Sequence, residues 1–367
     1  MTSTATHRHF AGSYAEARQK FLGAVAQLHL VTESFVHEAK GEFGETLAMD
    51  VACLGDPNAG RLLILSSGTH GSEGFAGSGC QVAALADAEL LGRFEKAGVA
   101  LLLVHAINPY GFSFVRRTNE DGVDLNRNFI DFDAPRPRND GYAELDPLLM
   151  PATWPPTPDD DAALAAYIER HGAKKFHQAL SSGQYTVPSG LFYGGDAPSW
   201  SNRTVRSILR RYAAAASDIA WIDLHTGLGP YGHGEKIYSG GAGAGLARAR
   251  TFWGGDVFAS FEGESVSVDV TGPVVSTLHD ECSNATATSI ALEFGVLPLA
   301  QALLALRANQ WLGRHPEAPQ QMRLAIRRQV RDASYGDCDE WRGMVLGQSR
   351  VALLQALQGL QGLRTQP

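Results

Sequence analysis

The chain has 367 residues, 44% of them hydrophobic, which is ample for a large buried core. Charged residues make up only 19%, against about 25% in a typical soluble domain, and the formal net charge is -8. That sign, with no Lys/Arg run long enough to track phosphates, argues against a nucleic-acid partner, and the lack of about 20 uninterrupted apolar residues argues against a membrane span.

In chain order, apolar residues at helical spacing predict an opening helix over 13–28. Strands are expected at 34–38 and 46–54. Arg61–Ser66 and Val99–His105 are short continuous apolar runs, the pattern of strands buried on both faces. A helix is expected over Gly74–Leu91, a long polar loop over 107–130, and an ordered surface excursion over Asp131–Pro158. Asp159–Ala179 and Ser201–Ala215 read as helices, Asp218–Leu224 and Ser289–Phe294 as two further buried strands. Leu299–Leu312, Gln320–Val330 and Trp341–Leu360 complete the chain as helices. Strands alternating with helices predict an α/β sandwich on a mostly parallel sheet, in one domain without internal repeats. Cys53, Cys80, Cys282 and Cys338 are widely spaced and form no C-x-x-C pair, so neither a disulfide framework nor a thiolate metal site is expected. Met1–Phe10 lacks the apolar stretch of a secretory signal, which makes a cytoplasmic location the expectation.

The chemistry-bearing residues fall at or just after strand ends, where open α/β sheets place their sites. His70 and Glu73 lie three apart on a turn after a strand, and both can reach one ion. Zinc accepts imidazole nitrogen and carboxylate oxygen at about 2.0–2.2 Å, and two His with one Glu leave a position for water. His225, directly after a buried strand, supplies the third ligand. Asp223, two residues earlier on the same strand face, either orients that ligand or is an ordinary hydrogen-bonded strand-end Asp. Glu293 interrupts an apolar strand, which is costly unless the carboxylate is paired or functional. Near a metal it would suit proton abstraction from water. Arg116, Arg117, Asn126 and Arg127 share one loop and could clamp a carboxylate, the fork of an arginine matching it in a bidentate manner.

Asn108-Pro-Tyr-Gly-Phe112, Arg117-Thr-Asn119 and Gly122-Val-Asp-Leu-Asn-Arg-Asn-Phe129, in the order H-x-x-E, Arg, N-R, His, Glu, resemble the zinc carboxypeptidase (carboxypeptidase A) superfamily. The bacterial branch with long helical additions at both ends looks most similar. The resemblance covers a catalytic core of about 60–300. It implies a three-layer α/β sandwich with a mixed, mostly parallel eight-stranded sheet and extra N- and C-terminal helices. It implies one Zn²⁺ per chain on His70, Glu73 and His225, with Glu293 as general base and acid. It also implies Asn126 and Arg127 on the substrate carboxylate. Arg117 then polarises the scissile carbonyl, with Arg116 as the competing alignment. Family members carry a mobile tyrosine upstream of the base, but here no Tyr occurs between Tyr238 and Tyr335. The implied activity is a metallocarboxypeptidase acting on a small peptide. The alternative is an aspartoacylase-like hydrolase of N-acyl amino acids, which the missing tyrosine favours. A ligand-binding protein without turnover is the third reading, against which an intact Glu293 argues.

Overall fold

The structure, a computed structural model, describes residues 6–362. The N-terminal reading above therefore falls partly outside the described residues. Eight strands form one sheet: β1 (Thr32–Lys40), β2 (Thr46–Leu54), β3 (Arg61–Ser67), β4 (Ala100–His105), β5 (Asp218–Tyr231), β6 (Gly234–Tyr238), β7 (Val257–Ala259) and β8 (Thr286–Gly295). Their order is β1-β2-β4-β3-β5-β8-β6-β7. The central β4-β3-β5-β8 pairs are parallel, β1 and β2 add antiparallel pairings at one edge, and β6 pairs antiparallel with β8 while running parallel to β7.

The helices are α1 (Tyr14–Gln27), α2 (Gly74–Leu85), α3 (Ala88–Ala97), α4 (Pro109–Ser113), α5 (Tyr142–Leu149), α6 (Pro158–His171), α7 (Ala173–Ser181), α8 (Trp200–Tyr212), α9 (Ala244–Trp253), α10 (Thr277–Glu281), α11 (Leu299–Arg314), α12 (Gln320–Ser334) and α13 (Asp339–Gly362). Strand alternation decides which layer each residue joins. Leu63, Leu65, Leu101 and Leu103 face one core with α1, α2, α3, α9 and α13, while Leu62, Ile64, Leu102 and Val104 face another with α8 and α10. Because both faces are covered, the central strands carry uninterrupted apolar stretches at 62–65, 100–104, 219–222 and 290–292, and each buried Leu contributes roughly 1.5–3 kcal/mol. This is the expected three-layer sandwich.

Several boundaries differ from the sequence reading, each for a local reason. The helix expected over Gly74–Leu91 is two, because the Asp87 side chain accepts the Leu90 N–H and starts a new helix. The helix expected over Asp159–Ala179 breaks at Gly172, whose φ is 83°. Inside the 107–130 loop, Asn108 accepts from the Gly111 N–H and caps α4, and Leu125–Arg127 makes a 3₁₀ turn. The helix expected from Ser201 starts one residue earlier, at Trp200, because the Ser199 side chain accepts the Asn202 N–H and caps it. β6, β7 and α9 have no counterpart in the sequence reading. Their runs are short and Gly-flanked, and no periodicity develops.

Candidate active site

The site gathers at the C-terminal ends of β3, β5 and β8. After β3 the chain turns through Gly68, whose φ is 67°, into His70 and Glu73. The turn is docked on the arginine-bearing loop: Ser72 N–H donates to Arg116 O at 2.9 Å and Gly71 N–H to Arg117 O at 3.3 Å. A Cβ at Gly71 would stand 2.0 Å from the Gly111 carbonyl carbon, so only glycine permits this approach. β5 and β8 pair with His225 opposite Glu293. Parallel register thus sets the third candidate ligand beside the candidate base.

The donor atoms converge. His70 Nδ1 lies 2.7 Å from Glu73 Oε1, His225 Nδ1 lies 3.0 Å from Glu73 Oε2, and the two Nδ1 atoms are 3.3 Å apart. All three side chains are buried and form the one candidate metal cluster among the described residues. Carboxylates hold the far side of each ring. His225 Nε2 is 2.6 Å from Asp223 Oδ2, and His70 Nε2 is 3.3 Å from Asp124 Oδ1, an ion-pair distance rather than an aligned hydrogen bond. Asp223 also accepts from the hydroxyls of Ser66 at 2.5 Å and Thr69 at 2.9 Å. Asp223 thus makes both the contact to His225 that would orient a ligand and the ordinary hydrogen bonds of a strand-end Asp.

These residues fit a zinc ion. Carboxylates against both Nε2 atoms favour the Nε2–H tautomers, which turns both Nδ1 lone pairs inward. Two lone pairs 3.3 Å apart repel unless a cation or proton lies between them. Ligands at about 2.05 Å in tetrahedral array stand about 3.3 Å apart, as these do. Without a metal, protons take that role. Burial opposes charge on His225, but Asp223 and Glu73 raise it well above the usual imidazole range. Burial would raise Glu73, yet the two imidazoles hold it well below the usual carboxylate range.

Glu293 behaves differently. Burial pushes its carboxyl up to about 8, and the neighbouring Glu73 charge adds to the rise. Its Oε1 accepts only the Leu228 N–H at 3.0 Å among the described residues. Arg117 reaches Asp124 Oδ2 through Nε at 2.8 Å and Glu73 Oε1 through Nη1 at 3.5 Å. Burial lowers its pKa, but Asp124 and Glu73 outweigh this, and the guanidinium stays charged.

Arg127 donates through Nε to Ser181 O at 3.1 Å and through Nη1 to Asn126 O at 2.8 Å, and Nη2 also donates to Ser181 O. Three of its five donor hydrogens are used, leaving one on each terminal nitrogen. Burial lowers its pKa to about 10, and it remains charged at neutral pH. Asn126 Oδ1 accepts the Val274 N–H at 2.9 Å, which leaves its NH₂ for a ligand.

His70, Glu73, His225, Glu293, Arg117, Asn126 and Arg127 all line one cavity of about 490 Å³. Arg116 does not: its Nη2 turns to Thr118 Oγ1 at 3.3 Å, so Arg117 is the arginine of the pair that faces the site. His105, His233 and His279 lie off the cavity, as do Tyr231 and Tyr238. Tyr231 meets Cys338 Sγ at 3.1 Å, and Tyr238 donates to Gly241 O at 3.2 Å. The sequence reading missed Asp124, although an Asp inside an arginine-rich loop was a usable signal. It also missed Phe192, which lies under both Arg117 and Arg127 at 5.1 and 5.4 Å, and no pattern pointed there.

Fold and site define an α/β-sandwich protein with a two-histidine, one-carboxylate centre at the ends of its parallel strands. The chain belongs to the family described as "Protein of unknown function (DUF2817)", which it matches over residues 10–348. No curated protein matches it in sequence. Among solved structures it is similar to a protein of Shewanella amazonensis provisionally named a metallopeptidase, at 17% identity over 82% of this chain and 92% of that one, with a TM-score of 0.43. It is similar to the carboxypeptidase A of Helicoverpa armigera at 12% identity over 88% and 73%, with a TM-score of 0.43. It is also similar to an aspartoacylase family protein of Mesorhizobium loti at 16% identity over 77% and 66%, with a TM-score of 0.37. Among the described residues, no helix is long and apolar enough to cross a membrane.

Proposed function

We propose that the chain is a zinc-dependent hydrolase that cleaves an amide bond next to a free carboxylate, as its motif order implies. The observation that carries this reading is the shared cavity: a convergent His70–Glu73–His225 set, an elevated carboxyl and two charged arginines line one space. A pure binder has no use for Glu293.

Zn²⁺ held by His70, Glu73 and His225 would act as a Lewis acid and lower the pKa of water toward about 7. Arg127 and Asn126 hold the substrate carboxylate with their unspent donors, which fixes the amide relative to Glu293. Glu293 takes a proton from water as its oxygen adds to the carbonyl carbon. The cation on Arg117, already set by Asp124, offsets the charge that develops on the carbonyl oxygen. Glu293 returns the proton to the amide nitrogen as the C–N bond breaks, giving a carboxylate and an amine. A carboxyl at about 8 without metal falls toward the working pH when a dication lies nearby, where a group that must accept and return a proton is most effective.

The substrate is either a peptide with a free C-terminus or an N-acyl amino acid, and a cavity without tyrosine favours the second. Glu293→Gln tests the reaction class. It should abolish hydrolysis of free-carboxylate peptides and of N-acyl amino acids alike while zinc remains bound, and retained turnover would sink the reading.

A further inference from the structure

The cavity extends beyond the reacting groups, and part of its lining belongs to the apolar cluster shared by α6, α7 and α11. Ala291, two residues earlier on β8, shares the face of Glu293 and pairs with Ile237 of β6. With Val268 and Val270 they make an inner floor. An outer lobe is walled by Ile168 of α6, Phe176 and Leu180 of α7, and Leu299, Leu303 and Leu306 of α11. α11 is seated there because Leu303 and Leu306 pack on the apolar cluster that holds Phe176 and Leu180. Among the described lining residues, every Asp, Glu, Lys and Arg belongs to the reacting centre or its arginine pair. His177 of α7 also lines the cavity, and apart from it the outer lobe carries no titratable side chain.

What fits such a lobe follows from its backbone as much as its side chains. Its walls are helices, whose N–H and C=O groups are spent on each other except in the first turn of α11 and the last turns of α6 and α7. A peptide entering it would bury an N–H and a C=O per residue without partners, which is costly. An aliphatic chain has no such groups, and each methylene gains from leaving water. The volume, about 490 Å³, is that of pockets enclosing small molecules.

We propose that the outer lobe is an acyl-chain site and that the substrate is an N-acyl amino acid with an aliphatic chain. This rests on the hydrolase reading above. Water adds to the acyl carbonyl, the C–N bond breaks, and the products are an aliphatic carboxylate and a free amino acid whose nitrogen receives the proton.

The test uses zinc-loaded Glu293→Gln and calorimetric binding of N-acyl glycines from acetyl to decanoyl, with hydrolysis of the same series by the unaltered enzyme. Affinity should rise about threefold to fourfold per methylene and then level off. In the same background, Leu303→Phe should move the plateau to shorter chains, and Leu299→Asp, at a half-exposed position, should flatten the rise. Affinity independent of chain length, or an unaltered rise in both variants, overturns the acyl site. If acetylglycine is hydrolysed but lengthening gains nothing, the hydrolase reading stands and the lobe falls. If affinity climbs with length and no compound is hydrolysed, the lobe stands and the hydrolase reading falls.

Discussion

Replacing Asp223 by Asn should cost metal affinity through a tautomer, without touching a ligand. Asp223 receives three donors: Ser66 Oγ at 2.5 Å, Thr69 Oγ1 at 2.9 Å and His225 Nε2 at 2.6 Å. The direction of the Ser66 hydroxyl is fixed, because its oxygen already accepts the Trp221 indole N–H at 2.6 Å. A carboxamide has one accepting oxygen and two donor hydrogens. With its NH₂ facing His225, the imidazole must move its proton to Nδ1, the atom 3.0 Å from Glu73 and 3.3 Å from His70 Nδ1. A protonated Nδ1 cannot ligate. Loss of such an orienting carboxylate typically weakens metal binding 10–100-fold, about 1.4–2.8 kcal/mol. Competition with a chromophoric zinc chelator at pH 7.5 measures it, with Glu293→Gln as the matched variant that should keep its affinity. Circular dichroism of the metal-free protein separates a lost tautomer from a lost fold. A zinc affinity within about twofold of the parent in folded Asp223→Asn would refute the reasoning.

Arg127→Ala should raise KM about tenfold to a hundredfold with little change in kcat, the loss expected of a charge-assisted pair used for positioning. Steady-state kinetics on an N-acyl amino acid measures this, and an unchanged KM removes Arg127 from the clamp. His105 gives a pH signature remote from the site. Burial against Phe21 and Ser78 lowers its pKa to about 4, from 6.5 when exposed. The folded-state value is depressed, so the unfolded chain binds more protons between those values. The contribution is therefore fully present above pH 6.5 and is lost as pH falls toward 4, roughly 3 kcal/mol in all. Urea unfolding of the parent and His105→Phe at pH 7.5 and 4.5 should show their stability difference shifting by about 2–3 kcal/mol in favour of the variant at low pH. Parallel losses in the two proteins would show that His105 does not titrate as argued.

How much of this was legible in the sequence depends on the range of the forces involved. The central strands were readable because burial on both faces makes 62–65 and 100–104 apolar without interruption. The candidate metal cluster and the candidate base were readable because His70 and Glu73 share one turn, and because Glu293 is a charge in an apolar strand. What the sequence concealed is set by side-chain direction. Arg116 and Arg117 are adjacent in the chain, and only the docking of their carbonyls on Ser72 and Gly71 turns the second toward the cavity. Phe192, in a left-handed conformation with φ 55°, reaches the arginines from a distant loop. The outer lobe is assembled from the neighbouring α6 and α7 and from α11, more than a hundred positions further on, and no local pattern announces that they meet.

The division of the cavity follows from what each kind of element can hold. Four carboxylates (Glu73, Asp124, Asp223 and Glu293) lie buried beside two arginines and two imidazoles, an arrangement tolerable only if every charge is held within reach of another. Strand ends and the tight turns leaving them meet that demand, because register fixes side chains relative to one another and free backbone N–H groups remain there to bond carboxylates. Thr226 N–H on Glu73 at 3.1 Å and Leu228 N–H on Glu293 at 3.0 Å are two such bonds. Helices offer neither feature in their interiors, but they present rows of apolar side chains from a satisfied backbone. The charged chemistry therefore belongs to the sheet, and selectivity for an uncharged chain belongs to α6, α7 and α11. Exchange of the outer-lobe residues should alter which acyl group is accepted while leaving the ligand geometry intact.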